Sequence, residues 1–370
     1  MTDTPLDQIP VAKQIVCFWK QNDLGLYGRR ADRWIAYWNS HPEVERVWVV
    51  EAPVSRKLFD RWLDLGTRED VVSSREFVLL ANQLLRKQAG LLDAGKVRYV
   101  SFLEGGRGSE QGFERWLLKR LQSEGLSNPL VVLWPLCFVS NDLLADLSPA
   151  CLLTDIVDDQ RQFKGNQHRV SAIQKQYEDL LSRSDCVVSN SPGLIEAFEQ
   201  EFLRSVNHVP NQSLPQMPFG GAELSQFAAE SGKVPGRKVA GYAGNLRERI
   251  DIPRLLELMA GKPDWDFWFV GQVYGSEFYK AAAGVSNCRF FGAMELTAAR
   301  RVMEMFDVAM VPFEDNALTQ RMSLLKLEEY ARLGKPVWDF RNKNSSMMGD
   351  DRIRVMGRAS AQSEGDSSAC

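Results

Sequence analysis

The chain predicts an α/β protein made of two parallel-sheet domains. Short apolar runs alternate with stretches of helical spacing along most of its length, the pattern of repeated β-α-β units. Its 370 residues suffice for two cores of ordinary size. The alternation breaks once, between Ser213 and Lys238, in a segment rich in Pro, Gly, Ser and Gln.

The first-half strands fall at Gln14 to Trp19, Val47 to Glu51, Val97 to Phe102, Leu130 to Leu136, Cys151 to Ile156 and Cys186 to Ser189, runs apolar enough for burial on both faces. Helical spacing recurs over Arg29 to Asn39, Ser74 to Ala89, Gly112 to Glu124 and Gln167 to Ser182. Ser191-Pro192 opens a further helix that runs to about Leu203. Val209-Pro210-Asn211-Gln212 ends a strand, so residues 1–212 form the expected first domain and 213–238 the linker. The second domain, 239–340, starts with a strand at Val239 and has a short apolar run at Phe306 to Phe313. Beyond Phe340 all periodicity is lost, and residues 341–370 are expected to be a disordered tail, an unusually short ending. No internal repeat is present.

Charge nearly cancels, 45 basic residues against 48 acidic, which argues against a nucleic-acid partner. Six cysteines are scattered singly, without the close pairs of a zinc site or a disulfide framework, and suit a reducing cytoplasm. The first eight residues have neither the basic start nor the apolar core of a signal peptide. No run approaches the ~20 apolar residues of a membrane span. The basic, amphipathic segment Phe113 to Leu121 has two readings, a helix packed on a sheet or one lying on the inner face of a membrane.

The segment Ser323 to Trp338 concentrates the chemistry. Ser323 is placed to cap a helix, Gly334 to end it and Pro336 to forbid its continuation, so Lys326 and Glu329 share a face in its first two turns. Helix N-termini favour phosphate oxygens, because free N–H groups and the positive dipole end point outward there. Lys326 adds a formal charge, and Glu329 is able to accept from both hydroxyls of a ribose. Taken alone, the pair fits an ion bridge on a solvated face better than a ligand site.

Three more clusters follow strands. Gly25 and Gly28, next to Arg29 and Arg30, occupy the first β-to-α turn, where doubly wound sheets bind ligands. Two arginines at a helix start oppose its dipole unless an anion sits there; the plain alternative is an ordinary turn. Asp155 and Asp158 lie at the end of the strand Cys151 to Ile156, and helix capping by Asp158 or Asp159 is their plain reading. Arg247 and Arg249 follow Gly244-Asn245, and pairing with Glu248 and Asp251 on the surface is their plain reading.

Lys-Leu-x-Glu-Tyr-x-x-x-Gly-Lys-Pro-Val from Lys326, preceded by Asp-Val-x-x-x-Pro-Phe from Asp307, resembles the donor-binding segment of GT-B glycosyltransferases, specifically family 4-like retaining enzymes. The run from Val239 to Asp251 resembles the strand and glycine loop that open that family's C-terminal domain, and Asn316-Ala317-Leu318-Thr319 its Asn-x-Leu-Thr loop. The resemblance implies two Rossmann-like domains facing a cleft. It implies a hexosyl transfer with retention from a nucleotide-diphosphate sugar to a glycan, lipid-linked or other small acceptor, as in polysaccharide or glycoconjugate biosynthesis, with no metal or other cofactor. Lys326, Arg249, Asp155 and Asp158 would then be catalytic, and Gly25, Gly28, Gly244, Asn245, Arg247, Asn316, Thr319, Ser323 and Glu329 would hold the nucleotide sugar. Departures are Arg321 in place of the first of two glutamates, Gln212 in a Pro-Asn-Gly turn, none of His41, His168 and His208 at the family's sugar-contacting position, and the missing C-terminal strand and long helix. A catalytically inactive nucleotide-sugar-binding or scaffold protein and a sugar-nucleotide 2-epimerase are the alternatives.

Overall fold

The computed structural model describes residues 9–55, 71–104, 110–212, 219–273, 275–341 and 353–355. The first eight residues, 213–218 and most of the expected tail lie outside these.

The first domain runs β1 (Gln14–Trp19), α1 (Arg30–Ser40), β2 (Arg46–Glu51), β3 (Val54–Ser55), α2 (Val71–Gln88), β4 (Val97–Val100), β5 (Leu103–Glu104), α3 (Glu110–Ser123), β6 (Leu130–Leu133), α4 (Asn141–Leu147), β7 (Cys151–Ile156), α5 (Val170–Arg183), β8 (Cys186–Ser189), α6 (Pro192–Phe202) and β9 (Asn207–His208). Its parallel sheet has the order β4-β2-β1-β6-β7-β8-β9, while β3 and β5 pair separately. Ile15 to Trp19 of β1 are all buried, because helices cover both faces. Trp34 and Trp38 of α1 pack on one face beside Ile15 and Cys17. Phe113, Leu117 and Leu121 of α3, spaced i, i+4, i+8, pack on the other beside Val16, Phe18 and Val131. The apolar side of Phe113 to Leu121 is thus spent on the core, which removes it as a membrane-binding face.

The second domain runs α7 (Gly221–Glu230), β10 (Lys238–Ala243), α8 (Ile252–Gly261), β11 (Trp265–Val270), α9 (Glu277–Ala282), β12 (Cys288–Gly292), α10 (Leu296–Glu304), β13 (Val308–Val311), α11 (Ala317–Gln320), α12 (Leu325–Arg332), β14 (Val337–Asp339) and β15 (Ile353–Val355), with the parallel order β12-β11-β10-β13-β14-β15. In both sheets the chain winds outward from a central strand in two directions, so β1/β6 and β10/β13 are switch points whose carboxyl ends leave a crevice.

Two expectations are corrected. The linker is not patternless: 221–230 is helical, and Glu223 pairs with Arg301 of α10 at 2.5 Å, which ties α7 to the second domain. Nor does order end at Phe340. The Arg341 guanidinium is buried against Asp339 at 2.7 Å and donates to the Thr319 carbonyl, and Ile353–Val355 adds a sixth strand beside β14. The remaining tail residues, 342–352 and 356–370, are outside the described residues. Among the described residues no helix is long and apolar enough to cross a membrane.

Candidate nucleotide-sugar site

The two sheets turn their carboxyl ends toward one cavity of about 510 Å³, a size that suits a small organic ligand. Its N-terminal wall includes Trp19 at the end of β1 and Lys20 beyond it, Trp134 after β6 and Asp158 after β7; its C-terminal wall includes Tyr242 to Asn245 at and beyond the end of β10 and Ser323 to Lys326 after β13. Two seams join the domains around it. At one, Leu296 N–H donates to the Leu26 carbonyl at 2.9 Å, and Gly28 lies so close that a Cβ there would fall 2.5 Å from the Leu296 side chain. Gly28 is therefore needed for the approach of α10 as well as for its φ of +65°. At the other seam the Asn190 and Asn211 amides both donate to the Ser323 carbonyl, at 3.3 and 2.9 Å, and the Ser191 hydroxyl donates to the Arg321 carbonyl.

Helix α12 presents its N-terminus to the cavity. Ser323 does not cap it: the N-cap is Leu324, no side chain caps it, and Ser323 is held by Asn211 instead. The first-turn N–H groups therefore face the cleft with no side-chain acceptor. At the far end Gly334, at φ +65°, closes the helix as expected, with Lys335 N–H donating to the Tyr330 carbonyl at 2.9 Å.

Lys326 and Glu329 both line the cavity but do not pair with each other; among the described residues Lys326 has no carboxylate within 4 Å. Its ammonium donates to the Tyr242 hydroxyl at 2.8 Å and lies 4.2 and 4.4 Å from the ring centres of Tyr242 and Phe313. Arg249 is treated alike, 5.6 Å from the ring centres of both Phe163 and Phe313, with Met322 Sδ as an acceptor at 3.4 Å. Burial, reinforced by the Arg249 and Arg341 charges, pushes the Lys326 pKa well below its usual value. Lys326 and Arg249 are thus brought together on aromatic faces, where a bound anion would favour the charged form of Lys326 that burial and its cationic neighbours disfavour.

Glu329 has a partner that the sequence reading missed. Arg300 of α10 grips it through two parallel hydrogen bonds, Nε to Oε2 and Nη2 to Oε1, both 2.9 Å, with the pair almost fully buried. This fixes the carboxylate at the cavity wall, and each oxygen keeps lone-pair capacity for a ligand hydroxyl.

The other expected residues divide. Gly244, Asn245, Arg247 and Asp158 line the cavity. Burial raises the Asp158 pKa, opposed by the charges of Arg249 and Lys20. Asp155 is not at the wall: it is wholly buried and accepts from Arg30 Nε at 2.9 Å and Trp134 Nε1 at 2.8 Å, so it orients other groups. Asp159, not Asp158, caps the short turn at Gln160–Gln162. Gly25 is also off the wall; its N–H donates to Asp32 at 2.7 Å. Asn316 and Thr319 satisfy each other in a capping box that closes α11, with Thr319 fully buried, and neither lines the cavity. Adjacent Arg29 and Arg30 do not require an anion, since Asp23 pairs with Arg29 and Asp155 with Arg30. Among the described residues no group of three or more His, Cys, Asp or Glu is arranged to hold a metal.

No family model matches the chain. Over 171 residues, 43% of this chain and 41% of the relative, it is 28% identical to TuaH of Bacillus subtilis (strain 168), a protein assigned to teichuronic acid biosynthesis as a glycosyltransferase. The match thus spans less than half of that relative. Among solved structures, sucrose-phosphate synthase from Thermosynechococcus elongatus superimposes with a TM-score of 0.60 at 12% identity, over 88% of this chain and 81% of that one. Anabaena HepE in complex with UDP-glucose superimposes at 0.57 and 13% identity, over 93% and 86%. The fold is GT-B.

In this GT-B cleft, among the described residues, three buried polar atoms have no protein partner: Arg30 Nη2, Asn190 Oδ1 and Asn245 Oδ1, all on residues that line the cavity. Buried polar atoms are rarely left unpaired, so these mark where a polar ligand completes the site. Arg300, Tyr242 and Asn190 carried no sequence signal, because a buried arginine, a strand tyrosine and a strand-end asparagine gain meaning only from what the sheet order sets beside them.

Proposed function

We propose that the chain is a glycosyltransferase whose donor, a nucleotide-diphosphate sugar, lies in this cleft. One observation carries the reading: the open N-terminus of α12 coincides with Lys326 and Arg249, two basic side chains held on aromatic rings and, among the described residues, in no salt bridge with a carboxylate. A diphosphate supplies the missing negative charge. Glu329, braced by Arg300, takes the ribose hydroxyls. The likeness to TuaH and the HepE complex with UDP-glucose support the same assignment.

In the transfer the bond from the anomeric carbon to the diphosphate oxygen breaks, leaving its electron pair on an oxygen stabilised by Lys326 and Arg249. The acceptor oxygen bonds to that carbon from the same face, and its proton passes to the departing phosphate oxygen, so configuration is retained. Asp158, opposite on the first domain, holds the acceptor hydroxyl and stabilises positive charge at the anomeric carbon. The acceptor, a glycan or a lipid-linked or other small hydroxyl compound, enters over Lys20, Trp134 and Phe163.

The test is thermal stabilisation by a panel of UDP, GDP, dTDP and ADP sugars, followed by nucleoside diphosphate release with candidate acceptors. Stabilisation by one base and acceptor-dependent release are expected. No stabilisation across the panel overturns the reading; stabilisation without release for any acceptor reduces it to an inactive binder.

A further inference from the structure

Two of the unpartnered atoms belong to the first domain and lie at one seam. Arg30 is 7% exposed and Asn190 2% exposed, and both line the cavity. Each is fixed by its other atoms. Arg30 Nε donates to Asp155 at 2.9 Å and Nη1 to the Pro210 carbonyl at 3.1 Å and to Asn211 Oδ1 at 3.4 Å. Asn190 Nδ2 donates to the Ser323 carbonyl, which also receives Asn211 Nδ2, so the amide orientation of Asn190 is set and its Oδ1 remains the free end. Asn211 thus ties both residues to the turn that leads into α12.

The chemistry of the free ends is specific. Arg30 Nη2 can only donate and Asn190 Oδ1 can only accept. An acceptor oxygen repels a phosphate oxygen, whereas a hydroxyl gives one hydrogen bond and takes another. The Arg30 charge is already matched by Asp155, so no second anion is called for. Arg321, in the turn before α12, is exposed and does not line the cavity, so it does not serve this position.

Resting on the nucleotide-sugar reading of the cleft, we infer that Arg30 Nη2 and Asn190 Oδ1 form a subsite for a hydroxyl of the transferred sugar, so that the first domain takes part in selecting the donor sugar. The subsite joins a donor from α1 and an acceptor from the end of β8 across the seam from α12.

The test compares, by calorimetric titration, the nucleotide sugar that stabilises the wild-type protein with its free nucleoside diphosphate, in Arg30→Lys and Asn190→Ala. Loss of a hydrogen bond made only by the sugar weakens the nucleotide sugar about fivefold to tenfold and changes the free diphosphate less than about twofold. If both ligands weaken by the same factor, the two residues only join the domains and the subsite is wrong. If neither weakens, it is also wrong. If no nucleotide sugar binds the wild-type protein, the reading of the cleft fails and takes the subsite with it.

Discussion

The buried pair between Arg300 and Glu329 separates a stability role from a binding role. Both side chains are under 10% exposed and meet through two 2.9 Å hydrogen bonds. Removing one member of such a pair leaves an uncompensated charge at a cost of about 3 kcal/mol, which for a domain of this size lowers the melting temperature by about 6–12 °C. Glu329→Ala and Arg300→Met are each expected to show that loss by calorimetry, and their double-mutant cycle to return a coupling of about 2 kcal/mol. Nucleoside diphosphate binding follows another pattern. Two ribose hydrogen bonds to a carboxylate are worth about 3 kcal/mol or more together, upwards of about 100-fold in affinity, so each single variant loses that factor. Arg300 does not line the cavity and reaches the nucleotide through Glu329, so Arg300→Met is expected to cost no further affinity in the Glu329→Ala background. An additional loss there would mean that Arg300 touches the nucleotide itself, and undiminished affinity in Glu329→Ala would remove the ribose from this wall.

Three other outcomes follow from the geometry. Lys326→Met is expected to weaken nucleoside diphosphate binding more than about tenfold and to lessen its dependence on salt, measured by titration at two ionic strengths. Gly28→Ala combines a φ of +65° with a Cβ placed 2.5 Å from Leu296; it should cost about 1 kcal/mol or more and loosen the first seam, read as a larger radius of gyration by small-angle scattering. Burial raises the Asp32 carboxyl from 3.8 to about 6. Between these values the folded chain holds a proton that the unfolded chain has released, so stability falls as pH rises from about 4 to about 6 and then levels. Asp32→Asn should flatten that part of the urea-derived stability profile.

What the sequence could and could not disclose follows from what each signal depends on. β1, β7 and β8 match their apolar runs residue for residue, since strands buried on both faces leave unbroken hydrophobic stretches. α7 escaped because none of its residues is fully buried and its flanks are rich in Gly and Pro, leaving no apolar stripe. β15 is only Ile353–Val355, too short for a period. Lys326, Arg249, Asp158 and Glu329 could be placed at the cavity wall from sequence because each lies beyond the carboxyl end of a parallel strand. Their partners could not, since Arg300 meets Glu329, and Arg30 meets Asp155, only after the strand order brings distant segments together. Asn316 and Thr319 had the expected residue types, but those side chains close their own turn.

A crystal structure with whichever nucleoside diphosphate stabilises the protein tests the central claim most directly. The account predicts the diphosphate at the uncapped N-terminus of α12, its oxygens against the N–H groups of that turn, Lys326 and Arg249, and the ribose hydroxyls on Glu329. Density for the nucleotide away from α12, with Lys326 still on the Tyr242 hydroxyl and Glu329 untouched, would contradict it.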